Sequence, residues 1–266
     1  MNIDPVSSPA PTRTNCALGL MVKVPFAGAV KTRLTPPLTS EEAAKLCVCF
    51  LQDMTSNVAG LVGNGTEGVV LYTPVDAAAL LQDVLPNGFM LFAQRGDTLG
   101  ERLINGAAEL LTKGFKSVCL INSDSPTLPS EILRTAASLL AKDGDRVVLG
   151  PSQDGGYYLI GLKHPHRYLF EGIAWSTAGV LAHTIERAAE LNLPVELLPE
   201  WYDVDEVATL RLLCHELSLL PDGNKRLTQF HGGFDAAHTR YYLAGLMAKD
   251  GHDRFTPGAF TAKTKA

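Results

Sequence analysis

Four short stretches of this chain set charged side chains beside residues that end a strand or force a turn. In VKVPFAGAVKTRL, residues 22–34, an apolar run breaks at Pro25, turns through Gly28 and presents Lys31 and Arg33. An ammonium and a forked guanidinium so placed suit a phosphate group, although a solvated basic loop has the same composition. Lys31-Thr32 has the order that closes a nucleoside-triphosphate P-loop. That reading fails on spacing: Pro25 and Val30 stand where the glycines belong, and Pro36-Pro37 interrupt the helix that should follow. VCLINSDSPTLP, residues 118–129, ends an apolar run in Asp124, a hard oxygen ligand for Mg²⁺ or Mn²⁺ or an acid that closes its own turn. GPSQDGGYYLIG, residues 150–161, reads either as a hairpin turn or as a wide turn of small residues that leaves room for a substrate between Asp154 and Tyr157. EWYDVDEVATL, residues 200–210, puts Asp203 and Asp205 on one side of extended chain just before a helix. Asp205 is then an N-cap or a second metal ligand beside Asp124.

The elements that must bring these stretches together alternate short apolar runs with longer amphipathic ones. Periodicity predicts strands at 18–24, 68–72, 89–92, 116–122 and 145–149, with helices at about 39–62, 98–112 and 129–141. Helix starts are marked by Thr39 with Glu41 and Glu42 behind it, and by Pro129 at a first helical position. Beyond residue 150 the pattern predicts a strand at 157–162, a helix at 177–191, a short strand at 195–198 and helices from about 206 and over 235–248. This is the rhythm of an α/β domain whose mostly parallel sheet is covered by helices on both faces. In such sheets ligands bind outside the carboxyl ends of the strands, where all four stretches fall.

Composition narrows the function further. The 266 residues are 46% hydrophobic and 19% charged, enough for one large core, and the net charge of −5 lacks the basic surface a nucleic-acid partner requires. No apolar run is long enough to cross a membrane, and the first 16 residues, rich in Pro, Ser and Thr, lack the order of a signal peptide. The five cysteines form no CxxC pair. The expectation is a reduced, cytoplasmic protein with no nucleic-acid or membrane partner: a disordered tail over 1–16, one domain over 17–220, and a C-terminal helical extension and tail over 221–266. Neither GxSxG nor GxGxxG occurs, so a serine-hydrolase elbow and a dinucleotide-binding turn lack their signatures.

Taken in order, VKVPFAGAVKTRL, RGDTLGERL, INSDSPTLP, GPSQDGGYYLIGL, FEGIAWST and WYDVDEVATL resemble the bacterial DUF2064 proteins. That family is regarded as glycosyltransferase-like and is linked in some genomes to arsenosugar biosynthesis. It is related to the phospholactate guanylyltransferases within the GT-A, nucleotide-diphospho-sugar transferase superfamily. The resemblance covers about residues 18–213 and implies a single Rossmann-like GT-A domain. It also implies that Val24, Gly28, Lys31 and Arg33 hold a nucleotide, that Gln94 and Gly100 shape its pocket, and that Asp124 binds a Mg²⁺ or Mn²⁺ completed by Asp205 with Asp203 beside it. Asp154, Gly155, Gly156 and Tyr157 match a DGGY motif on the acceptor side, with Trp175 in the cleft; Asp124, Lys31, Arg33 and Asp154 are the expected catalytic set. SDSP carries one acid where many GT-A glycosyltransferases have Asp-x-Asp, a departure toward a nucleotidyltransferase-like site. Three functions follow: glycosyl transfer from a nucleotide sugar to a small acceptor, nucleotidyl transfer from a nucleoside triphosphate to a phosphorylated small molecule, or a nucleotide-binding module without catalysis.

Overall fold

A computed structural model describes residues 16–63, 65–220 and 232–255. Residues 1–15 of the expected N-terminal tail, and 221–231 and 256–266 of the expected C-terminal extension and tail, lie outside the described residues, whereas Cys16 opens the first strand. Seven strands form one sheet: β1 (Cys16–Lys23), β2 (Thr66–Thr73), β3 (Met90–Ala93), β4 (Ser117–Asn122), β5 (Val147–Pro151), β6 (Tyr157–Leu162) and β7 (Val195–Leu197). Their spatial order is β3-β2-β1-β4-β6-β5-β7, and every neighbouring pair is parallel except those that β6 makes with β4 and β5. The helices are α1 (Ser40–Ala59), α2 (Ala79–Gln82), α3 (Leu99–Thr112), α4 (Ser130–Ala141), α5 (Val180–Glu190), α6 (Val207–Glu216) and α7 (Ala237–Asp250). None is long and apolar enough to cross a membrane.

β1 is an apolar run because both of its faces are covered. Leu18, Leu20 and Val22 pack into one core with Leu46, Phe50 and Met54 of α1 and Leu133 and Leu140 of α4. Ala17 points into the other core, with Leu71 of β2 and Leu103, Ile104 and Leu110 of α3. The two cores form the three-layer α/β/α arrangement expected of such runs. The start of α1 follows its sequence signal: the Thr39 side chain accepts from the Glu42 N–H, and the Glu42 carboxylate accepts from the Thr39 N–H at 2.8 Å. The chain leaves β1 toward β2 on one side and returns from α3 into β4 on the other. The carboxyl ends of β1 and β4 therefore border a topological switch point.

The C-terminal helix is held to this frame by a carboxylate from α1. Asp53 is buried, and its two oxygens accept the N–H groups of His238 at 3.0 Å and Thr239 at 2.8 Å at the start of α7, with His238 Nδ1 also 2.9 Å away. These are donors a helix cannot satisfy for itself. Asp53→Ala is expected to cost about 2–3 kcal/mol in chemical denaturation, the loss of charge-assisted bonds to a helix start. Limited proteolysis should show α7 becoming the first segment cut. An unchanged denaturation midpoint would mean that apolar packing alone holds α7.

Candidate active site

Beyond Lys23 the chain crosses the end of β1 and folds over it. Lys23 Nζ donates to the Ala29 carbonyl at 2.7 Å, and a turn containing Gly28 closes with Ala29 N–H donating to Phe26 O at 3.0 Å. Lys31 follows in the left-handed region, at φ 47°, and starts a short 3-10 turn over Thr32–Leu34 that presents Arg33. A lysine rarely adopts that backbone, and here it aims the side chain inward, leaving it 6% exposed.

Lys31 Nζ lies 2.8 Å from Asp124 Oδ1, just past β4, and also bonds Asp205 Oδ1. The 201–205 segment reaches this place by backbone pairing across the ends of β5 and β4. Trp201 N–H donates to Pro151 O at 3.0 Å, Gln153 N–H to Trp201 O at 3.2 Å and Val204 N–H to Asp124 O at 2.9 Å. α6 starts only at Val207 with Glu206 at its N-cap, so Asp205 does not cap it and its carboxylate turns to Lys31.

The charges set one another. Burial works against the Lys31 ammonium, but Asp124 and then Asp205 outweigh it and hold its pKa above the ordinary lysine value. Burial also opposes ionisation of Asp205, yet Lys31 outweighs it and keeps that carboxyl below the usual range. Asp203 has no such cation. Burial, then Asp205 and Asp154, push its pKa up to about 6, while Ser152 Oγ donates to its Oδ1 at 2.9 Å.

These groups line a cavity of about 690 Å³ that spreads from β1 across β4 to the β5–β6 turn. On the far wall Asp154 accepts the Gly156 N–H at 2.9 Å, and Tyr157 meets Trp175 edge to face at 6.5 Å between ring centres. The Tyr157 hydroxyl is buried beside Thr184 of α5, so only its ring is offered to a ligand. Trp175 stacks on Phe170 at 6.4 Å and lies over the start of α3, where a Cβ on Gly100 would come 2.8 Å from the indole.

Of the residues singled out from sequence, Lys31, Arg33, Asp124, Asp154, Gly156, Tyr157, Trp175, Asp203 and Asp205 share this cavity. Val24, Gly28, Gln94, Gly100 and Gly155 are not among its lining residues. Val24 is buried and donates its N–H to Thr73 O at 2.8 Å, and the Gln94 amide donates to Leu71 O at 2.7 Å, tying the ends of β1, β2 and β3. Ser152 and Lys23 are lining residues that sequence reasoning passed over. Ser152 stands in the quoted GPSQDGG segment, but nothing local marks its partner 51 residues away.

The three acids expected at the metal, Asp124, Asp205 and Asp203 beside it, differ in their partners here. Among the described residues no three His, Cys, Asp or Glu side chains gather as a metal cage, and Asp203 is engaged with Ser152. Asp124 and Asp205 remain, 36% and 46% exposed, converging on one cation, the Lys31 ammonium. One or two carboxylates together with substrate phosphates is the usual protein share of a Mg²⁺ site, so this donor pair fits such an ion.

The family model described as "Uncharacterized protein conserved in bacteria (DUF2064)" matches residues 62–177. In fold the chain is similar to a "putative nucleotide-diphospho-sugar transferase" from Desulfovibrio desulfuricans G20. The two share 30% identity over 88% of this chain and 96% of that one, with a TM-score of 0.72. It is also similar to a CMP:2-keto-3-deoxy-manno-octonic acid synthetase solved with CTP, at 12% identity over 77% and 99% of the two chains with a TM-score of 0.50. A 4-diphosphocytidyl-2C-methyl-D-erythritol synthase from Anaerococcus prevotii DSM 20548 matches at 9% identity over 77% and 96%, with a TM-score of 0.51. The last two likenesses are of fold alone. No curated protein matches the chain.

Proposed function

The chain belongs to the DUF2064 family, with the α/β fold of nucleotide-diphospho-sugar transferases, and we propose that it is a divalent-metal-dependent transferase that moves a glycosyl group from a nucleotide sugar to a small acceptor. The observation that carries this reading is the division of charge across the cavity. Its cations, Lys23 at the end of β1 and Lys31 and Arg33 after it, stand on one side, whereas the far wall offers Asp154, Asp203 and the rings of Tyr157 and Trp175. A nucleotide diphosphate suits the first wall. An acceptor hydroxyl, hydrogen-bonded by carboxylates and packed on rings, suits the second.

Nucleotidyl transfer to a phosphorylated acceptor is the less favoured reading, because that acceptor's phosphate would face Asp154 and Asp203 across a part of the cavity to which no lysine or arginine contributes. In the favoured reaction Lys31 and Arg33 bind the phosphates, Asp124 and Asp205 hold the ion, and Asp154 orients the acceptor. A bound Mg²⁺ or Mn²⁺ would supply Lewis-acid stabilisation of charge on the leaving diphosphate.

A thermal-shift panel tests this. With Mg²⁺ or Mn²⁺ present, one nucleotide sugar at 100 times its Kd is expected to add about 2.7 kcal/mol, a rise of several degrees at roughly 2–4 °C per kcal/mol. A shift given by a triphosphate and by no nucleotide sugar would move the assignment to nucleotidyl transfer with pyrophosphate release. Binding without product across donors and acceptors would mark a catalytically silent module.

A further inference from the structure

Asp124 and Asp205 are claimed twice: as ligands they would hold a divalent ion, and in the structure they hold Lys31. We propose that Lys31 is an internal cation that closes this acid pair to free metal, so that the ion enters the site with a nucleotide and not alone.

The geometry supports this in three ways. The ammonium is 2.8 Å from Asp124 Oδ1 and bonded to Asp205 Oδ1, the oxygens on which an incoming ion would depend. The ammonium and a divalent ion cannot share those oxygens without facing each other at close range, where like charges repel strongly. Lys31 also stands at the left-handed residue that opens the 3-10 turn, on a four-carbon stem that can swing its ammonium without moving β4 or the 201–205 segment.

Leaving the acids costs the lysine its two partners, and the cavity offers it no other carboxylate on the β1 wall. Phosphate oxygens would provide the replacement. Nucleotide therefore draws Lys31 away and opens the acid pair in the same step, and linkage requires the coupling to be reciprocal: metal strengthens nucleotide binding by the factor that nucleotide strengthens metal binding.

The inference rests on the proposed metal- and nucleotide-dependent reading, but its test needs no nucleotide, so the two fail separately. Mn²⁺ binding to the full-length, nucleotide-free protein is measured by the loss of the free Mn²⁺ electron-spin-resonance signal, with circular dichroism to confirm folding. Wild type should bind Mn²⁺ weakly. Lys31→Met should bind at least tenfold more tightly, and Asp124→Asn added to it should remove the gain. If Lys31→Met does not fold, Lys31→Gln serves, because it keeps a donor for the acids without the charge. Equal Mn²⁺ affinity in wild type and the folded variant overturns the proposal and leaves Lys31 as a fixed structural ion-pair partner.

Discussion

Asp124→Asn is expected to lower kcat/KM by about 10³-fold while leaving the fold in place, because the substitution removes a charge and little else. The asparagine keeps the side chain's shape, and the backbone bond from Val204 N–H to the residue 124 carbonyl, which docks the 201–205 segment, does not depend on the side chain. What disappears is one of the two carboxylates on which Lys31 converges. Half of the acid pair proposed to hold the metal goes with it, and the buried ammonium is left with Asp205 alone. Removal of a single preorganised electrostatic group typically costs about 10²–10³ in kcat, and loss of an ion it holds adds to that. The effect should be larger than that of Arg33→Ala at the exposed rim, where water replaces much of what the guanidinium provides. The measurement is steady-state turnover with the nucleotide donor found by the thermal-shift panel. Undiminished turnover in Asp124→Asn would remove the residue from the chemistry and with it the proposed metal site.

The parts of this arrangement that were legible in the sequence are those whose causes are local. The apolar run of β1 and the Thr39–Glu42 start of α1 are set by neighbours a few residues away; α1 starts at its marked cap and β1 covers most of the expected run. Boundaries slipped where distant contacts intervene. α5 starts at Val180 rather than 177 because Ala178 is held against the Gly155 turn, and β1 starts at Cys16 because β2 and β4 offer it partners there. The hairpin reading of GPSQDGG is realised, since the turn joins antiparallel β5 and β6, and residues of the same turn line the cavity. That β6 inserts beside β4 is a property of the whole sheet and no local signal carries it. The same holds for the site's central contact. Lys31 and Asp205 are 174 positions apart, so periodicity could place each at a strand end but could not say that they touch. The C-terminal helix was readable as a helix, whereas its docking on Asp53 depends on a carboxylate buried in α1.

Gly155→Ala should disable the far wall of the site and cost about 2–4 kcal/mol of stability, the sum of a strained backbone and an overpacked contact. Gly155 has φ +87°, and a Cβ there would fall 2.2 Å from the carbonyl oxygen and 2.6 Å from the Cα of Ala178. Both are backbone atoms, so no side-chain rotation relieves the clash. One hydrogen bond closes the turn, Gly155 N–H to Ser152 O at 3.1 Å, and another ties it to the next segment, Leu181 N–H to Gly155 O at 2.9 Å. The methyl must therefore either break the turn that presents Asp154 or push back the 176–178 segment that follows Trp175. Both routes move the groups proposed to meet the acceptor, whereas Lys31 and Asp124 lie on other segments. Acceptor KM should rise severalfold or more, while nucleotide binding in the thermal-shift panel changes little. Gly88→Ala separates the two causes, since Gly88 has φ +93° but no atom within 4 Å of the added methyl. Its cost should be the backbone contribution alone, about 1 kcal/mol. Equal losses for the two variants would mean that the contact with Ala178 yields freely, and the far wall would then not be the rigid surface that acceptor selection requires.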